Sequence, residues 1–213
     1  MTRGLAFLLL ALIVAAPVPS SAELRDKFTP IRIVGLGPIA DPDNYEVVAN
    51  GAADQYDSRT FLPHTGARSL KEAMDSQDLH MGAELREAII EGLLGAGIEV
   101  VPAETRGATL KLLVAIMPNT TLYSDAALGD DLMPGFMVKL FVTDARSGRF
   151  LKTDSIVYGQ SRRRADHSLF PDARYRFSSV DALLADPKSA ADGFRAGIEK
   201  VAQEIVKEFG HSD

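Results

Sequence analysis

Two stretches of the chain carry an apolar residue every three or four positions. Residues 79–96 set Met81, Leu85, Ile89, Leu93 and Leu94 on one side of a helix and Glu84, Glu87 and Glu91 largely off it, the stripe of a helix that lies on a core. Gly95 and Gly97 end it. Residues 190–209 repeat the pattern with Phe194, Ile198, Val201, Ile205 and Phe209, and Ser189 stands as N-cap with Asp192 as its N3 partner and Gly210 beyond the end. A short helix over residues 180–185 precedes it, stopped by Pro187.

Elsewhere the period is two. Residues 109–117 alternate Leu110, Leu112, Val114 and Ile116 on one face with Thr109, Lys111, Leu113 and Ala115 on the other, which predicts a half-buried strand. Residues 28–36 are largely apolar on both faces after Pro30 and read as a central strand; with the helix that follows and a short strand at 98–102 they resemble a strand-helix-strand unit with parallel strands. Residues 136–143 and 150–158 flank Asp144-Ala145-Arg146-Ser147-Gly148-Arg149, a hairpin closed by Gly148 in the left-handed conformation. Three stretches lack a period. Residues 40–76, apart from a short run over 45–49, read as a surface excursion that carries a partner site or is a plain insertion. Residues 118–134 read as a polar loop, acidic at Asp125, Asp130 and Asp131, and residues 160–177 as a basic, irregular connection. The fold class expected is α+β, with two long helices on one face of a mixed, mostly antiparallel sheet of four to six strands, formed by a single domain over residues 23–213.

The first 22 residues fall outside that domain. After Arg3, residues 5–16 are an unbroken apolar run of twelve, too short to span a bilayer and followed by small residues up to Ala22, the layout of a secretory signal peptide. Cleavage after Ala22 and a periplasmic location are the expectation, with no transmembrane anchor. The chain has no cysteine, so lipid attachment, disulfides and thiol catalysis are not expected, and a hydrophobic core alone must hold the fold. Loss of Arg3 takes the formal charge from −6 to −7, which argues against nucleic acid as a partner.

Candidate chemistry is sparse. Gly35-Leu36-Gly37-Pro38-Ile39-Ala40 matches the spacing of a dinucleotide-binding turn, but Pro38, Pro42, Asp41, Asp43 and Asn44 predict a loop where that turn needs a helix. His80 and Glu84 stand one turn apart, with Glu87 a turn further, yet no second helix supplies matching metal ligands. Asp125, Asp130 and Asp131 lack a calcium-loop spacing. No nucleophile motif surrounds any of His64, His80, His167 and His211, so no catalytic, metal or cofactor residue is expected. One cluster opposes the acidic average: Arg162, Arg163, Arg164, Arg174 and Arg176, interleaved with His167, Phe170, Tyr175 and Phe177. Guanidinium forks suit phosphate and carboxylate, so this run is the candidate contact for an anionic headgroup, a glycan phosphate or an acidic protein surface.

The order of elements, with Leu93-Leu94-Gly95-Ala96-Gly97-Ile98-Glu99-Val100-Val101 closing the first helix and Asp144-Ala145-Arg146-Ser147-Gly148 turning the hairpin, resembles the small α+β domain of bacterial envelope proteins. Examples are the TolB N-terminal domain and the curli-secretion and transport-auxiliary lipoproteins. That resemblance implies a non-enzymatic envelope binding or assembly module whose partner is an envelope protein or an anionic envelope component. A hydrolase acting on an envelope polymer or ester is the alternative. A histidine against a serine or carboxylate in a deep cleft would favour the enzyme, and an open sheet face or a free strand edge beside the arginines would favour binding.

Overall fold

The computed structural model describes residues 31–48, 65–125, 131–159 and 167–209. The signal segment, the Asp130 position, the 160–166 stretch with Arg162, Arg163 and Arg164, and His64, Gly210 and His211 lie outside the described residues. Eight strands form one mixed sheet: β1 (Ile33–Leu36), β2 (Glu46–Val48), β3 (Glu99–Pro102), β4 (Leu110–Ile116), β5 (Leu122–Asp125), β6 (Leu132–Asp144), β7 (Phe150–Tyr158) and β8 (His167–Leu169). Among the described residues four α-helices accompany it: α1 (Thr65–Ser76), α2 (Met81–Gly95), α3 (Val180–Ala185) and α4 (Pro187–Lys207).

The α+β class and the two long helices agree with the sequence reading, while the sheet exceeds the four to six strands expected. The additional strands are short and come from the stretches read as connections. β2 arises from the short run at 45–49, β5 and the start of β6 within 118–134, and β8 within 160–177. β6 organises the sheet: its first four residues pair antiparallel with β5, its last seven with β4, and its other edge takes β7. Antiparallel pairing thus joins the longest strands, but four of the seven strand pairs, β1 with β3, β1 with β4, β2 with β5 and β7 with β8, are parallel. β1 lies between β3 and β4, as a strand apolar on both faces should. The hairpin also forms as read, with Gly148 at φ +68.

α1 was hidden because its apolar content is thin. Leu70 and Met74, one turn apart, are fully buried, and polar residues surround them. α2 buries Met81, Leu85, Ile89 and Leu93, whereas Leu94 points to solvent at 55% exposure, because it lies a full 100° round the helix from Leu93. α4 starts three residues earlier than its apolar stripe. Asp186, not Ser189, is the cap: its carboxylate accepts the Ser189 N–H at 3.0 Å. Pro187, read as a stop, occupies the first turn, where its missing N–H costs nothing.

Helices α2 and α4 pack along each other and, with α1 and α3, over one side of the sheet in a single core. α4 reaches the sheet through its glycines. The Tyr158 and Phe136 rings occupy the space where a side chain at Gly197 would lie, and the Tyr123 hydroxyl and Tyr175 crowd Gly193. Tyr123 donates to the Ala190 carbonyl at 2.8 Å and Tyr158 to the Gly193 carbonyl at 3.2 Å. Desolvation in this contact pushes both phenols above their ordinary range.

Candidate interaction surface and ion networks

Among the described residues, no helix covers the opposite side of the sheet. The registers Lys111 with Thr143, Leu113 with Phe141 and Ala115 with Lys139 on β4 and β6, and Phe141 with Thr153 and Lys139 with Ser155 on β6 and β7, define its outward positions. Leu113 is 55% exposed and Phe150 49%; Phe150 packs against Phe141 with ring centroids 6.5 Å apart. At the other end of the hairpin the outward Met137 and Val157 are buried, so the open area is confined to its turn half. A depression of about 290 Å³ adjoins it, lined by Leu113, Ala115 and Pro118 together with Asp41 and Asp43.

The described arginines of the basic run stand elsewhere. Arg174 and Arg176 are exposed and flank Tyr175, which is buried against Gly193 of α4; both therefore lie at the helix layer. Arg174 reaches Asp172 at 3.6 Å and its guanidinium lies 4.8 Å from the centre of the Tyr175 ring. The open face and these two arginines are thus separate features.

The glycine-rich turn after β1 ends in a helix cap. Ile39 and Ala40 pass so close to α2 that Gly82 has no room for a Cβ, which would lie 2.8 Å from the Ala40 carbonyl carbon. Asp41 accepts the Gly82 N–H at 2.6 Å, so the exposed donors of the α2 N-terminus receive a carboxylate from the chain itself, the position an anionic ligand would take. His80 stands beside them, its Nδ1 3.4 Å from Asp41 and its Nε2 3.1 Å from Asp78. The hydrogen bond with Asp41, then the field of Asp78, hold its pKa above the usual histidine value. Glu84 is engaged by the His80 N–H at 3.3 Å and by Arg195 at 3.3 Å, so His80 and Glu84 do not converge as ligands.

A second network lies within the fold. Lys152 and Asp154, two residues apart on β7 and therefore on the same face, are 8% and 6% exposed. The Lys152 ammonium lies 2.7 Å from Asp154 and 2.5 Å from Glu208. Burial alone would lower its pKa, but the hydrogen bonds it donates to the two carboxylates outweigh it and hold it above the ordinary lysine range. His167 approaches Glu204 at 3.0 Å and Glu208 at 3.8 Å. Ligand atoms of Asp154, His167 and Glu208 lie within 4.8 Å of one another, the residue types of a divalent-cation site. Lys152 already supplies the cation between its carboxylates, and a metal would have to displace it. No spacing along the chain marks this cluster, because its members come from β7, β8 and the C-cap of α4.

No protein-family model and no curated protein matches the chain. Among solved structures it is similar to protein XCC0632 from Xanthomonas campestris, a DUF330 protein, at 12% identity over 82% of this chain and 80% of that one, with a TM-score of 0.43. It is also similar to the PelC dodecamer of Paraburkholderia phytofirmans at 13% identity over 84% and 90% of the chains (TM-score 0.39). A third is lipoprotein GNA1162 from Neisseria meningitidis, at 13% identity over 63% and 88% (TM-score 0.29). Bacterial lipoproteins are thus among its structural neighbours, at scores that identify no family.

Proposed function

We propose that this chain is a non-enzymatic module of the bacterial cell envelope, exported to the periplasm, that binds or assembles with a partner through the open face of its sheet. What supports the reading is the one-sided covering of β4, β6 and β7, which leaves Leu113 and Phe150 about half exposed beside Phe141. Clustered apolar groups on one surface mark interaction sites, where isolated ones do not. The histidines with described surroundings serve ion networks: His80 is exposed between Asp41 and Asp78, and His167 lies beside the Lys152 network. The reading is tested by Leu113→Ser combined with Phe150→Ser, which should leave the denaturation midpoint nearly unchanged while abolishing the complex that the wild-type chain forms in envelope extracts. An unaltered complex size would overturn it. Replacing Arg162, Arg163 and Arg164 with Gln in the same assay separates the arginine run from the open face, since an anionic partner held by those arginines would be lost from that variant instead.

A further inference from the structure

The open face also carries charge, and its arrangement specifies the partner. Among the described residues, Lys71, Lys152, Lys188, Lys200 and Lys207 each meet a carboxylate or a backbone carbonyl. Lys111 and Lys139 make no ion pair or side-chain hydrogen bond among those residues, and both stand at outward positions of the open face. The outward positions of β4, β6 and β7 hold no carboxylate. On this side of the sheet Glu99 of β3 stands two strands out from β4, and Glu46 of β2 two strands out from β6, each roughly 10 Å or more away. Two ammonium groups without a partner among the described residues, around an apolar centre and on a chain of formal charge −6, call for an acidic and apolar counterpart.

Spacing narrows the shape. Lys111 is level with Thr143, and Lys139 is level with Ala115. Along the strands the two cations are thus four residues apart, about 13 Å, with the Leu113 and Phe141 pair midway between them. Across the strands, β4 to β7 spans two inter-strand spacings, roughly 10 Å, the diameter of a helix with its side chains. The other side of this sheet buries its apolar positions under helices, the layer arrangement that sheets favour. The depression beside Asp41 and Asp43 lies on the β1 side of Ala115, which keeps an acidic occupant to the β6 side of β4.

We propose that the open face of β4, β6 and β7 receives an amphipathic helix of a partner protein, whose apolar stripe covers Leu113, Phe141 and Phe150 and whose carboxylates, about two helical turns apart, pair with Lys111 and Lys139. This rests on the binding-module reading and adds the chemistry of the partner. A second copy of the same face would set lysine against lysine. An anionic bilayer would meet two cations on a chain whose overall charge repels it.

The test places a photocrosslinking side chain at position 113, 150 or 153 of the full chain in intact cells, with position 188 on the helix layer as control, and sequences the attached segment. The expected adduct is a protein segment with apolar residues at helical spacing and Asp or Glu two turns apart. Its yield should fall about tenfold in the Lys111→Glu, Lys139→Glu variant, whose circular-dichroism melt should match the wild type. Adducts with lipid, with a second copy of the chain or with a segment lacking those acids would overturn the helix proposal and leave the binding module standing. An unchanged yield after charge reversal would do the same. No yield above that at position 188 would overturn both.

Discussion

Gly197→Ala sets two rules of helix stability against each other. Inside α4, replacing glycine with alanine should favour the helix by about 1 kcal/mol. The added methyl, however, would press on Cδ1 of Tyr158 and lie 2.5 Å from its Cε1 and 2.7 Å from Cε1 of Phe136. Both rings are fully buried and cannot swing into solvent, so α4 must move off the sheet. Overpacking of this kind costs about 1–3 kcal/mol, and three close ring atoms place it at the upper end. Displacing Tyr158 also lengthens its 3.2 Å bond to the Gly193 carbonyl, worth about 1 kcal/mol. The net expectation is a loss of about 3 kcal/mol, read as a lower denaturant midpoint at unchanged slope. Gly95→Ala is the matched control: nothing lies within 4 Å of its would-be Cβ, so helix preference acts alone there and stability should hold or rise. If Gly197→Ala is as stable as Gly95→Ala, the tyrosine contact does not set the distance between α4 and the sheet.

Leu85→Ala and Ile198→Ala, both at buried positions of the two long helices, should each cost about 2–5 kcal/mol by leaving a cavity, and unchanged denaturation midpoints would refute the helix packing. Lys152→Met leaves the buried carboxylate of Asp154 without its cation and should cost about 3–5 kcal/mol; a loss under 1 kcal/mol by chemical denaturation would show that the network carries little. For His80, whose pKa is raised by Asp41 and then Asp78, the contribution to holding the loop after β1 is complete below about pH 6.5, the unfolded value, and is lost as pH rises through the folded value. An NMR titration should place the His80 midpoint above about 6.5 in the wild type and lower in Asp41→Asn; equal midpoints would refute the contact.

What was readable in the sequence follows from how many side chains each element commits to the core. α2 and α4 bury a residue on nearly every turn, so their period survives in the sequence, and β4 alternates over its whole length. α1 commits Leu70 and Met74, and β2 and β8 have three residues each, too few to establish a period against the polar stretches around them. The outward residues of β4 were legible too, since Lys111, Leu113 and Ala115 alternate with the buried set. What alternation does not tell is whether a second layer covers them, because that depends on where distant helices pack. The Lys152 cluster and the capping of α2 by Asp41 were hidden for the same reason: each joins residues far apart in the chain, and the cap spans 41 positions.

β6 and β7 also separate charges by the side of the sheet on which they fall. Lys152 and Asp154 point to the core side, where an unpaired charge is prohibitive, and both are paired, with Glu208 drawn in from the end of α4. Lys139 points the other way, one pleat position from that layer, and has no acidic partner among the described residues although the chain carries more acids than bases. Water stabilises an isolated ammonium on an exposed face, so folding alone does not require a partner there. Folding equally does not require Leu113 and Phe150 to stand beside it half exposed. Apolar groups stand on the same side of the same strands as cations that have no partner among the described residues, and the core needs neither, which is why the open face, and not Arg174 and Arg176 at the helix layer, is the first surface to probe for a partner.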